Sequence, residues 1–209
     1  MRRLADTRQR LVDGAFETIR RHGVAGVSAR TIAGVAGANQ ALIFYHFGSV
    51  DALLVEACRA TAAQRVGHYR DELAAVTDFS ALLDLGRRLH AEERELGNVT
   101  VLAQLLAGAQ GNPRLAEAVN AALGLWTAEI EQVLARLLRG SPLSDLVDPA
   151  GLARAVSAGF VGLELYEAAD LEGAEAGMAA LEQLGVLLEV VDELGPLARR
   201  ALAARIKRR

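Results

Sequence analysis

Apolar residues return every three or four positions along most of the chain, the spacing that gathers them on one face of an α-helix. Leu11, Val12, Ala15, Phe16 and Ile19 form the first such stripe. It predicts a helix from Thr7 to about Arg21, capped by Asp6 with Gln9 in capping-box position and stopped by Gly23. A shorter helix is expected behind Ser28 and through Ala36, with Ile32, Ala33 and Ala36 inward and Gly37 as its stop. Asn39 then opens a third helix from Gln40 to about Phe47. Gly48 breaks it, and Ser49 caps a long fourth helix whose Asp51 suits the positive end of the helix dipole. Two short helices around Gly37-Ala38-Asn39, behind one longer helix, make a helix-turn-helix.

The remaining pattern is helical too. A fifth helix is expected from about Asp78 to Leu96, and Val101, Leu102, Leu105 and Leu106 mark a short sixth. Asn112 caps a seventh with Pro113 at its first position, and its stripe runs from Leu115 to Leu137 before Gly140. Residues 140–149 read as a loop. Two more helices follow, from about Pro149 to Ala169 and from about Ala174 to Leu194. Gly159, Gly162 and Tyr166 fall near one face of the first, and Leu181, Leu184, Leu188 and Val191 form a seam on the second. Either these faces pack within the subunit, or they meet a second copy across a two-fold as a four-helix bundle. The fold class is therefore all-α: a helix-turn-helix domain over residues 1–50, extending into the start of helix four, and a larger helical domain over 51–209.

Composition narrows the class. Of 209 residues 52% are hydrophobic but only 4% aromatic, so the core must be mostly Ala, Leu and Val. The lone Cys58 cannot form an internal disulfide. The basic start, MRRLADTRQR, is followed by no apolar run of the kind a signal peptide needs. The stretches Val99–Ala109 and Gly185–Val191 are too short to span a bilayer. A soluble cytoplasmic chain without a membrane partner is expected. The net charge of −3 hides a segregation: residues 1–50 hold seven basic against three acidic residues, 51–198 hold ten against twenty-three, and the last eleven add six basic ones. Either the head alone approaches a polyanion, or this is ordinary surface.

Catalytic chemistry finds no foothold. His22, His46, His68 and His90 are scattered, none sits in HExxH spacing, and neither Gly108–Gly111 nor Gly159–Gly162 makes a phosphate loop. No enzyme activity, metal or cofactor is expected. A rival to any nucleic-acid role is a helical module whose hairpin binds protein and not DNA.

The segment from Thr7 to Leu54 resembles the N-terminal domain of TetR-family transcriptional regulators. The resemblance rests on the first apolar stripe, Ser28-Ala29-Arg30-Thr31-Ile32-Ala33, Ala36-Gly37, and Phe44-Tyr45-His46-Phe47 followed by Ser49 and Leu53. It implies a homodimer whose two heads enter successive major grooves of a double-stranded palindromic operator. It implies further that residues 51–209 bind a small-molecule effector and dimerise, and that the effector releases DNA, as in a repressor.

Residue chemistry fits that role. The first residues of a recognition helix face base edges, so Asn39, Gln40 and Ala41 are expected there. Gln40 can pair bidentately with adenine and Ala41 can admit a thymine methyl. Asn39 is a cap that either also reaches a base or does not. Ser28 and Arg30 can meet phosphate at the start of helix two, with Thr31 and Ser49 as weaker partners. The family likeness implies that Tyr45 and His46 reach phosphates or bases near the end of the recognition helix; His46 is alternatively a structural residue bonded to backbone. Two positions depart from the commoner family pattern: Phe44 stands where a phosphate-binding Tyr is frequent, and Val50 where a Lys is. Candidates for lining an effector cavity, suited to a hydrophobic or aromatic molecule, are Tyr69, His90, Leu102, Leu105, Trp126 and Phe160, each of which can equally be core. The dimer candidates are Gly159, Gly162, Tyr166, Leu181, Leu184, Leu188 and Val191.

Overall fold

The computed structural model describes residues 2–139, 141, 143–144, 147–192, 194–195, 197–198, 201 and 204, without the side chains of 2–5, 188–189 and 191–192. The described residues form helices and no strand. In order they are α1 (Arg2–His22), a 3₁₀ turn (Val24–Gly26), α2 (Ala29–Ala36), α3 (Ala41–Phe47), α4 (Val50–Ala75) and α5 (Phe79–Glu95). Then come α6 (Asn98–Ala109), α7 (Pro113–Leu137), α8 (Pro149–Glu167) and α9 (Leu171–Asp192).

Most ends are set by the side chains the sequence offers. Ser49 accepts from the Ala52 amide, Asp78 from Ala81, Asn112 from Arg114 and Leu115, and Asp148 from Ala150 and Gly151. Two starts differ from expectation. Helix α1 begins at Arg2, so Asp6 lies inside it and caps nothing at its start, while the Gln9 amide bonds Asp13. Leu4 and Ala5 are good helix formers, and nothing before Asp6 stops the helix from propagating towards the N-terminus. Helix α9 begins at Leu171, not Ala174, because Asp170 caps it through the Gly173 amide.

The chain divides into two compact units, residues 1–67 with 92–125, and residues 68–91 with 126–209. In the first, Leu11, Ala15 and Ile19 of α1 are fully inside, with Ile32 of α2, Ile43 of α3, Leu53 of α4 and Val101 of α6 in the same cluster. Helices α1 and α2 meet closely at Gly14, where a Cβ would stand 2.8 Å from that of Ala36. Gly23 ends α1 with φ of 69°, and the adjoining Val24 amide donates to Gln104 Oε1 of α6 at 2.9 Å. Arg65 binds both Glu92 and Glu93, at 2.7 and 2.6 Å.

In the second unit, Tyr69, Leu73, Val76, Leu85 and Val133 form one cluster, and Phe79, Leu134, Leu138 and Ala153 another. Arg136 donates to the carbonyls of Leu73 and Val76, satisfying acceptors that the end of α4 leaves open. Helices α8 and α9 lie against each other, and Gly177 lets the side chain of Leu163 in close.

Candidate nucleic-acid interface

Helix α2 starts from a reciprocal box. The Ser28 hydroxyl accepts from the Thr31 amide at 3.1 Å, and Thr31 Oγ1 accepts from the Ser28 amide at 2.9 Å. Thr31 Oγ1 also lies 2.9 Å from the Gly26 carbonyl, so that hydroxyl is largely occupied by the fold. Gly37 leaves α2 in the left-handed region, φ 59°, a conformation that costs a side chain-bearing residue about 1 kcal/mol or more. Its positive φ turns the chain towards α3. There the Asn39 carbonyl Oδ1 accepts from the Ala41 amide at 2.9 Å, so Asn39 is a capping side chain although the helix itself begins at Ala41.

Helix α3 is held from behind and bare in front. Ile43 is fully buried, with Leu42 and Phe47 packed on the same core. The Arg8 guanidinium stands 5.1 Å from the Phe47 ring centre and 3.2 Å from Glu56, tying α1 and α4 to this helix. The chain then bends by 67° into α4. Gln40, Ala41, Phe44 and Tyr45 are all exposed, Phe44 at 53% and Tyr45 at 73%. At 100° per residue these four positions form one continuous arc. Gln40 makes no capping bond with its side chain.

His46 is more enclosed. Its Nε2 is buried and meets no hydrogen-bond partner among the described residues. A hydrogen on that nitrogen would be a donor buried without an acceptor, so the tautomer with the hydrogen on Nδ1 is favoured. Any donation from His46 to phosphate therefore comes from Nδ1.

Charge on the head is partly committed within the chain. Arg20 and Arg21 both bind Glu17, and the Arg20 hydrogen bond chiefly holds the Glu17 carboxyl down to about 2. Arg30, exposed on α2, has no ion pair or hydrogen bond among the described residues. Its charge is available to a partner outside the chain.

The effector candidates separate by unit. In the first, Leu105 is buried core and Leu102 is half-buried. In the second, Tyr69 and Trp126 pack with ring centres 5.9 Å apart, and His90 meets Phe160 edge-on at 5.6 Å. Two residues absent from the sequence reading join them. His90 Nε2 lies 2.7 Å from Glu167 and its Nδ1 3.4 Å from Glu164, which is itself buried. No spacing in the sequence announces that link, since the partners stand 74 and 77 positions away. Among the described residues no group of three His, Cys, Asp or Glu could hold a metal ion.

Of the dimer candidates, Gly159 and Gly162 are exposed and would have open space around an added Cβ. Tyr166, Leu181 and Leu184 are exposed as well, and Val156, Leu165, Val186, Leu187 and Val190 extend the same apolar character along α8 and α9. The side chains of Leu188 and Val191 lie outside the described residues, as does most of the basic tail. No single described helix is long and apolar enough to cross a membrane.

Residues 11–57 match the sequence profile described as bacterial regulatory proteins, tetR family. A search of the curated proteins gives no significant match. Among solved structures, a protein described as a TetR-family transcriptional regulator from Rhodococcus sp. superposes with a TM-score of 0.71 at 22% identity, over 90% of this chain and 100% of that one. A protein described as a transcriptional regulator from Saccharomonospora viridis, in complex with choline, gives 0.68 at 23% identity over 86% and 95%. The fatty acid degradation regulator FadR from Bacillus halodurans gives 0.65 at 18% over 90% and 99%. At such identities these likenesses establish the fold. The profile match identifies residues 11–57 as a segment of the tetR family of bacterial regulatory proteins, and the chain as a whole shares the fold of the regulators just described.

Proposed function

We propose that this protein is a DNA-binding transcriptional regulator of the tetR family, a repressor working as a homodimer and released from a palindromic operator by a small hydrophobic or aromatic ligand. The observation that carries the reading is the bare arc of α3, in which Gln40, Ala41 and Tyr45 stand exposed on a helix whose other face is buried. In this reading residues 1–50 bind DNA, with Asn39, Gln40, Ala41 and Tyr45 at base edges. Arg30, Ser28, Thr31, Tyr45, His46 and Ser49 meet phosphates, and Arg30 contributes most because its charge is uncommitted. Residues 51–209 bind the effector and dimerise through α8 and α9. Their exposed apolar residues are the reason: a face carrying Leu184 at 55% and Leu187 at 59% exposure gains most by burial against a copy of itself. The aromatic pairs Tyr69–Trp126 and His90–Phe160 are the ligand candidates of the second unit.

A second reading of the effector keeps the apolar body and adds a cationic head. Glu164 and Glu167 lie beside the ring pair of His90 and Phe160, and the similarly folded protein from Saccharomonospora viridis holds choline. Thermal shift with choline against neohexanol, its uncharged isostere, separates the two readings. Stabilisation by choline alone favours the cationic head, and stabilisation by neohexanol alone favours the apolar ligand.

The test of the whole proposal is selection of bound sites from random duplex DNA, followed by a screen of small molecules for release. Enrichment of an inverted repeat, with release by one class of compound, is the expected result. Binding that enriches no sequence would defeat it.

A further inference from the structure

We infer that Phe44 is a specificity-determining residue that reads the 5-methyl group of an operator thymine in the major groove. The inference rests on the DNA-binding reading of α3 and deepens it. The chain has nine aromatic residues, and it leaves three of them exposed: Phe44, Tyr45 and Tyr166. Two of those three are neighbours on one seven-residue helix. A side chain of this size gains roughly 1.5–3 kcal/mol by burial, so leaving one bare on a small helix forgoes a large share of that gain. Phe44 does not belong to the apolar cluster that holds α3, although Leu42, Ile43 and Phe47 all do.

Its position decides what can cover it. Phe44 stands one turn after Gln40 and Ala41 and beside Tyr45, within the arc that faces the nucleic acid. It has no donor for phosphate or for a base edge, so the only feature of a major groove it can match is the apolar one, the thymine methyl. Ala41 is apolar too and lies three positions before it, so the two form an apolar strip between the polar tips of Gln40 and Tyr45. Four residues of helix span about 6 Å, close to two base-pair steps, which sets the thymine within about two base pairs of the base read by Gln40. Phe44 thus does not merely lack a hydroxyl. It exchanges a phosphate anchor that is blind to sequence for a contact that is not.

The experiment uses the full chain and its selected operator. Each thymine of a half-site is replaced in turn by deoxyuridine, which removes the methyl and leaves every hydrogen-bonding group in place. Affinities are measured for the native chain and for Phe44→Ala, with random duplex as the control for an intact head. At one thymine per half-site the native chain should weaken about fourfold, the value of one buried methyl. Phe44→Ala should be indifferent to that replacement while keeping salt-dependent binding to random duplex. Indifference of the native chain to every replacement overturns the inference, and so does a variant that weakens as much as the native chain at the same thymine. Absence of salt-dependent binding to any duplex is a different failure: it removes the DNA-binding reading itself, and the inference with it.

Discussion

Arg30, on α2, and Gln40, just before α3, should fail in different ways when truncated. Arg30→Ala removes an exposed charge with no partner among the described residues. It should weaken binding to operator and random DNA alike and reduce the salt slope by about one unit, read from affinities at several salt concentrations. An unchanged slope would mean that Arg30 does not meet phosphate. Gln40→Ala should erode preference for the operator and spare nonspecific binding; equal losses on both would exclude it as a base reader. Cys58 makes a prediction about pH. Burial pushes its thiol from the ordinary 9.0 to about 11. Between those values the unfolded chain has lost a proton that the folded chain keeps, so stability falls as pH rises. Urea midpoints below 9.0 and near 11 should show that fall, and Cys58→Ala should lessen it. At neutral pH the native thiol should resist alkylation that the unfolded chain accepts. At this scale the sequence was informative wherever a residue acts through its own helix: Asn39 as a cap, Tyr45 and Gln40 outward. It was silent about the inward Nε2 of His46 and about Glu164 beside His90, because both depend on neighbours brought from elsewhere in the chain.

Among the elements, α1 and α2 meet closely at Gly14. Alanine at position 14 gains about 1 kcal/mol of helix propensity but drives a Cβ to 2.8 Å from that of Ala36, next to backbone. Overpacking of that kind costs about 1–3 kcal/mol, so Gly14→Ala should lower the melting temperature despite the better helix former. The second joint concerns α8 and α9. Leu184→Glu places a charge on a residue that is already exposed, so the subunit should fold unchanged. In the proposed dimer that charge is buried, and sedimentation should find monomers with weakened operator binding. A variant that stays dimeric and binds fully would exclude this face. Helix ends were readable because caps and glycines are local chemistry. The start of α1 was not: Asp6 carries a capping side chain, but the four residues from Arg2 to Ala5 let the helix run on.

For the molecule as a whole, the formal charge of −3 says little about its approach to DNA, since three of the seven basic residues in the first fifty are spoken for within the chain. Electrostatic attraction then comes from few groups, and affinity should be salt-dependent with a modest slope. The sequence conveyed the all-helical class and the place of the helix-turn-helix. It could not convey that α6 and the first part of α7 share a compact unit with the head, because that grouping is made by long-range packing of Val101, Leu105, Leu115 and Val119. One bond in that unit gives the protein a built-in reporter. The Val24 amide donates to no carbonyl of its own helix or turn but to a side chain eighty positions later, on α6. Its exchange with deuterated solvent consequently tracks the seating of a distant helix against the head, one proton at a time. Effector added to the protein either leaves that proton protected or frees it, and the answer can be read without any DNA in the tube.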